Sequence, residues 1–165
     1  MRNQGRSDSG AWLEHVQLGY NYRLDEMSAA LGLSQLARID DIVARRDLVA
    51  SWYHEALSKV KGVSTLATPD GMTRSWFVYV VVLDHGVDRA ALMQSLETKG
   101  VHTRAYFSPI HLQPYYRNVF GYKEGDFPVC EDVSSRTLAL PFYNALEKSD
   151  VTHIVDCIAK ALFQA

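Results

Sequence analysis

Between positions 36 and 60 the apolar residues recur at alternating steps of three and four: Leu36, Ile39, Val43, Ala50, Tyr53, Leu57 and Val60, with Arg46 in the one missing slot. A stripe of that period lies along one side of a helix. It predicts a long helix from about Arg38 to Lys61, stopped by Gly62. A two-stranded coiled coil would use such a stripe, but this one is short and broken by Arg46, so packing against a sheet is the better reading. Arg45 and Arg46 then read as a solvated or partner-facing edge. Further on, Trp76 to Leu83 is a nearly continuous run of aromatic and β-branched residues, the pattern of a buried strand. Asp88 is placed to cap a helix through about Lys99, with Ala91, Leu92 and Leu96 inward and Gly100 as its stop. Val101 to Tyr106 reads as a second strand. The result is a strand–helix–strand unit whose helix must cover one sheet face.

The remaining pattern is shorter-ranged. Pro69-Asp70-Gly71 is a turn. Phe107 to His111 breaks the second strand, and Leu112 to Arg117 begins a short helix or turn. Gly121 and Gly125 punctuate a loop, and Phe127-Pro128 leads into a helix ending near Arg136. Thr137 to Pro141 is a short strand, and Pro141, which cannot donate, suits an edge position. Ser149 is read as the cap of a last helix burying Val151, Ile154, Val155, Ile158 and Leu162.

Upstream of the long helix the character changes. Gly19-Tyr20-Asn21-Tyr22-Arg23-Leu24 is polar and aromatic, and Asp25-Glu26 opens a helix to about Ala37 with a slim side of Ala29, Ala30 and Gly32. Asp25 is the expected N-cap. A loop carrying an amide and a guanidinium thus feeds a helix start, a common arrangement for holding an anion. Residues 1–18 are polar and aperiodic, and read either as an exposed, partly ordered arm or as a loop belonging to an upstream domain.

Composition narrows the classes. The 165 residues, 47% of them apolar, suffice for one domain with a real core. A net charge of −2 gives no electrostatic reason to expect nucleic acid or an anionic membrane as partner. No apolar run approaches the roughly 18 residues of a membrane helix. Cys130 and Cys157 match no metal spacing and suit a reducing compartment, so the expectation is a soluble, cytoplasmic protein. The histidines at 15, 54, 85, 102, 111 and 153 are scattered, with no pair at i,i+4, and no metal site is expected. There is no G-x-S-x-G elbow, G-x-G-x-x-G turn or Walker loop.

Two clusters carry candidate chemistry. Arg23 offers a fork of donors to a phosphate and Asn21 adds an amide, although residue type alone equally describes a solvated arginine and a turn asparagine. Arg104, Tyr106 and His111 gather around a strand end, where functional groups collect, and a histidine satisfied beside a proline turn is the competing description.

At these residues the chain resembles a known family. Gly19-Tyr20-Asn21-Tyr22-Arg23-Leu24 through Ala29-Ala30-Leu31-Gly32 and Gln35-Leu36, then Arg45-Arg46, is similar to the DegT/StrS family of pyridoxal-phosphate (PLP)-dependent sugar-nucleotide aminotransferases. So are Thr103-Arg104-Ala105-Tyr106-Phe107-Ser108-Pro109-Ile110-His111-Leu112, Asp126-Phe127-Pro128-Val129-Cys130-Glu131 and Leu138-Ala139-Leu140-Pro141-Phe142-Tyr143. Arg2-Asn3-Gln4-Gly5-Arg6 resembles the family's Arg-Asn-x-Gly element. The likeness spans nearly the whole chain.

The resemblance implies an α/β fold, the small C-terminal domain of a fold-type-I aminotransferase, with a small, mostly antiparallel sheet packed by helices, one of them long. It implies that residues 1–37 belong to the large PLP domain and 38–165 to the small domain. It implies a homodimer with shared active sites, in which Asn21 and Arg23 serve the PLP phosphate held by the partner chain. Arg104, Tyr106 and His111 would lie on the substrate side, with a sugar nucleotide and an amino-acid donor as reactants. The family's cofactor-bearing lysine belongs upstream of the Arg-Asn-x-Gly element. Lys59, Lys61, Lys99, Lys123, Lys148 and Lys160 lack its Ser/Thr- and Gly-rich context. No catalytic residue is therefore assigned here. The expectation is a C-terminal portion inactive alone; the alternatives are a non-catalytic dimerisation or regulatory module, or half of a split enzyme.

Overall fold

The computed structural model describes residues 3–7 and 14–163. Arg2 and part of the polar arm, residues 8–13, lie outside the described residues. The chain divides into two compact units, Met1–Asp40 and Asp41–Ala165.

In the first unit, α1 spans Glu26–Leu36. Asp25 is its N-cap as expected: extended backbone at Asp25 lets the carboxylate accept from the Ser28 N–H at 2.9 Å. α1 buries none of its residues.

The second unit holds most of α2 (Ile39–Leu57), then β1 (Val63–Thr65), β2 (Tyr79–Leu83), α3 (Arg89–Glu97) and β3 (Arg104–Ala105). A 3-10 turn (Ile110–Leu112), α4 (Pro114–Phe120), α5 (Pro128–Arg136), β4 (Thr137–Leu140) and α6 (Lys148–Phe163) follow. The four strands form one sheet in the order β1-β2-β4-β3, every neighbouring pair antiparallel, with Val81 opposite Leu138 at its centre. β2 and β3 both run against β4 between them, so they are parallel to each other. The expected strand–helix–strand unit is therefore β2-α3-β3 with a later strand inserted into its middle. The α/β class and the antiparallel sheet agree with the sequence reading.

The core lies where α2 and α6 present their stripes. Val49, Ala50, Tyr53 and Leu57 of α2 and Val151, Ile154, Val155 and Ile158 of α6 pack with Val81, Leu83, Leu138 and Leu140 of the sheet. Tyr53 stacks on Tyr79 with ring centres 4.7 Å apart, and its hydroxyl donates to the Pro141 carbonyl at 2.7 Å. Burial pushes both phenols above their ordinary pKa, so each stays a neutral donor.

Several expectations are corrected. α2 ends at Leu57, four residues early: the Val60 N–H bonds to the Leu57 carbonyl in a tightened turn, and Gly62, at φ +91°, redirects the chain into β1. Only the second half of the stripe is core, since Leu36 and Ile39 are exposed. Arg45 and Arg46 are not a solvated edge. Arg45 donates to the carbonyls of Asn144 and Leu146, both at 2.8 Å, and Arg46 to those of Trp76 and Phe77 at 2.7 and 3.1 Å. Trp76 and Phe77 precede β2 rather than belong to it, and Ala91 faces outward. β1 was not anticipated, because three residues are too short for a readable alternation. β4 is interior, not an edge: Pro141 falls just past its last residue, so the missing N–H costs the ladder nothing. Ser149 lies inside α6. The reciprocal bond at that end is made by Asp150, whose carboxylate accepts from the Glu147 N–H at 2.9 Å.

Candidate functional site

In the first unit, Asn3 and Asn21 form an antiparallel bridge, and the Gln4 N–H donates to the Tyr20 carbonyl at 2.8 Å. The two segments approach so closely that glycine is required. A Cβ on Gly5 would sit 1.8 Å from the Gln17 carbonyl oxygen, and one on Gly19 2.1 Å from the Gly5 nitrogen. This crossing brings the predicted pair together. Arg23 Nε donates to Asn21 Oδ1 at 3.0 Å, and Arg23 Nη1 donates to Asn3 Oδ1 at 3.3 Å. With their oxygens engaged, the amide N–H₂ groups of Asn3 and Asn21 remain donors beside an exposed guanidinium. Such a set suits an anion and has no acid–base chemistry of its own. Asn3 was not assigned a role from the sequence. The signal that would find it is the bridge to Asn21, eighteen positions away.

The second cluster is built differently. Arg104 and Ala105 form β3, and Arg104 Nη1 donates to the Thr103 carbonyl at 3.1 Å. Tyr106 is half-buried, its ring edge-on to Phe107 at 4.7 Å and its carbonyl accepting from the Thr137 hydroxyl at 3.2 Å. His111 is 8% exposed and lies in the 3-10 turn. Its Nε2 is 2.8 Å from Glu131 Oε1, and the rings of Phe127 and Tyr122 stand edge-on to it at 4.8 and 6.3 Å. Glu131 also accepts from the Gly125 N–H at 2.9 Å and the Phe127 N–H at 3.1 Å. The Gly125 N–H and then the His111 ring hold the Glu131 carboxyl below its usual pKa. Among the described residues, no hydrogen bond joins Arg104, Tyr106 and His111 to one another. Glu131 was not singled out from the sequence, because an acid in a helix's first turn ordinarily reads as a dipole partner.

The donor set decides how far PLP fits. Asn21 and Arg23 are apt for its phosphate. The six lysines are all exposed, and Lys148 is in an exposed ion pair with Glu55 at 3.0 Å. None sits in a buried site of the kind that activates a lysine for covalent work. Among the described residues, no group of His, Cys, Asp and Glu converges to hold a metal ion, and no helix is long and apolar enough to cross a membrane.

Comparison with known proteins gives a consistent set. The DegT/DnrJ/EryC1/StrS aminotransferase family matches residues 1–159. The spore coat polysaccharide biosynthesis protein SpsC of Bacillus subtilis is 35% identical over 157 residues, which is 92% of this chain and 40% of SpsC. Among solved structures, the aminotransferase TlmJ of Streptoalloteichus hindustanus superposes with a TM-score of 0.82 at 30% identity, covering 98% of this chain and 43% of TlmJ. DesV of S. venezuelae, solved with a ketimine intermediate, superposes at 0.83 and 29% identity, covering 96% of this chain and 41% of DesV. The chain thus spans about two fifths of the length of the relatives it matches.

Proposed function

Because the chain belongs to the DegT/DnrJ/EryC1/StrS aminotransferase family, we propose that it is the C-terminal portion of a PLP-dependent aminotransferase. That enzyme moves an amino group from an amino-acid donor to a keto-sugar nucleotide in amino-sugar biosynthesis, for a cell-surface polysaccharide or an antibiotic. Residues 1–37 are then part of the large PLP domain and 38–165 the small domain. The observation that carries the reading is the match of nearly the whole chain to only two fifths of an aminotransferase.

PLP, when bound, supplies the electron sink for amino transfer. The part of this chain is binding and orientation. The Asn21 amide and the Arg23 guanidinium donate to a phosphate held by a partner chain, and their mutual hydrogen bond fixes the geometry before the anion arrives. Arg104, Tyr106 and His111 face the substrate side. The cytoplasmic setting belongs to the same proposal and is supported by two free thiols, Cys130 and Cys157.

The chain by itself is inactive, since its exposed lysines offer no site for a stable covalent adduct with the cofactor. The test is to add PLP, treat with borohydride and weigh the protein. The expected result is no stoichiometric mass increase; a single-site adduct sinks the proposal. A second reading, a non-catalytic dimerisation module or half of a split enzyme, is favoured by α1, where Met27, Leu31 and Leu33 are each more than three-fifths exposed. It is separated from the first by adding a lysine-bearing large domain: recovery of transamination identifies a split enzyme, and continued inactivity of the pair a module.

A further inference from the structure

One carboxylate organises the region around His111. Glu131, in the first turn of α5, receives hydrogen bonds from three places: His111 in the 3-10 turn, Gly125 in the loop after α4, and Phe127 at the entrance to α5. The Gly125 N–H lies within 3.0 Å of both carboxylate oxygens, and Gly125 holds φ +93°, a conformation that turns this N–H inward. Within the loop the Asp126 carboxylate accepts from the Lys123 N–H at 2.9 Å and the Asp126 N–H reaches the Lys123 carbonyl at 3.3 Å; at its start the Gly121 N–H donates to the Arg117 carbonyl at 3.1 Å. The Glu131 side chain is 17% exposed and that of His111 8%, so water competes weakly for these bonds.

An ionised carboxylate only accepts. His111 Nε2 must therefore carry a proton, and the neutral ring keeps its lone pair on Nδ1. The same bond presses the imidazole between the edges of Phe127 and Tyr122, both carried by the loop region that Glu131 closes. Glu131 from α5 and Tyr122 from the loop are the titratable groups set against the ring.

We propose that Glu131 is a positioning residue: it closes the 121–127 loop and fixes the tautomer and orientation of His111 in a single event, so that the substrate-side surface is built by α5 rather than by His111 itself. The assignment to the substrate side rests on the proposed function above; the closure of the loop does not.

The experiment uses the chain as it stands, without ligand. Ring-nitrogen NMR, with the His111 signals assigned through H111Q, reads the tautomer, and amide exchange reads Gly125 and Phe127. The wild-type protein is expected to show the Nε2–H tautomer and slowed exchange at both amides. E131Q keeps the side-chain shape and removes its charge. It is expected to quicken exchange at both amides by about tenfold and to let the His111 ring populate the Nδ1–H tautomer. H111Q is expected to leave both amides protected, because their acceptor is still present. An Nδ1–H tautomer in the wild type, or equal exchange in wild type and E131Q, overturns the proposal. The wild-type measurements keep it testable even if E131Q folds poorly. Titration with a nucleoside diphosphate sugar is the separate arm. Absence of shifts at Tyr106 and His111 removes the substrate-side assignment and leaves the closure measurement intact.

Discussion

Arg45 and Arg46 are neighbours on α2 and reach in two directions. One ties the chain just before α6, through Asn144 and Leu146, and the other ties the entrance to β2, through Trp76 and Phe77. Each guanidinium satisfies carbonyls that no strand or helix bond reaches, and each also covers an aromatic face, Trp52 for Arg45 and Phe142 for Arg46. R45M is expected to cost about 2–3 kcal/mol in urea unfolding, the worth of hydrogen bonds from a charged donor. R45K should recover only part of it, because an ammonium cannot span both carbonyls with the same fork. The residue types were plain in the sequence, but a guanidinium's partners a hundred positions away leave no local trace. Acid stability belongs at the same scale. Glu131, held down by the Gly125 N–H, and Asp132, held down by Arg136, have folded pKa values below their unfolded ones. Their contribution is present above the unfolded values of about 4.3 and 3.9 and disappears as pH falls through the lower folded values. The urea midpoint is therefore expected to drop as pH is taken from 5 to 3, and to drop less in D132N.

Among elements, the helices declared themselves and the strands did so unevenly. Asp25 and Asp88 were legible as caps because capping is a local bond, from a side chain to amides two or three residues on. The α6 stripe was legible because six buried positions keep helical period. β1 has three residues, too few for alternation to separate from chance, whereas β3 was read as a strand over 101–106 and keeps only Arg104–Ala105. β4 was visible as a strand but its place was not, since order in a sheet is a long-range property. That order makes β4 the strand on which β2 and β3 both depend. A139P is expected to abolish the cooperative thermal transition followed by circular dichroism, whereas a proline replacing Thr65 at the sheet's edge should lower the midpoint and leave a transition. In the core, L57A is expected to cost about 2–5 kcal/mol, because Leu57 is 2% exposed and leaves a cavity.

At the level of the whole molecule, the second unit has a core and a complete sheet, while α1 in the first unit buries nothing of its own. Apolar exposure of that kind is stabilised by association. The chain is expected to self-associate with rising concentration in sedimentation experiments. The pair M27E and L31E, one helical turn apart, should shift it toward the monomer, and should leave the unfolding midpoint unchanged at concentrations where the wild type is already monomeric. The candidate residues follow the same division. Asn21 and Arg23 were legible as a candidate pair through their motif; that Asn3 completes the cluster required the chain to cross itself at Gly5 and Gly19. His111 was legible as a candidate, and its carboxylate partner was not, because Glu131 reaches it from a helix twenty residues on.

By itself the sequence determined the properties that depend on near neighbours: the caps of α1 and α3, the second half of the α2 stripe, the α6 stripe, the glycine turns and the family motifs. These follow from bonds and spacings within about one turn of helix or a few residues of strand. Only the tertiary structure decided the rest. It set the strand order that puts β4 between β2 and β3, the use of Arg45 and Arg46 as braces, and the gathering of His111, Gly125 and Phe127 on one carboxylate. Each of those depends on which distant backbone groups remain unsatisfied once the core has closed, and that is settled by packing rather than by any local pattern.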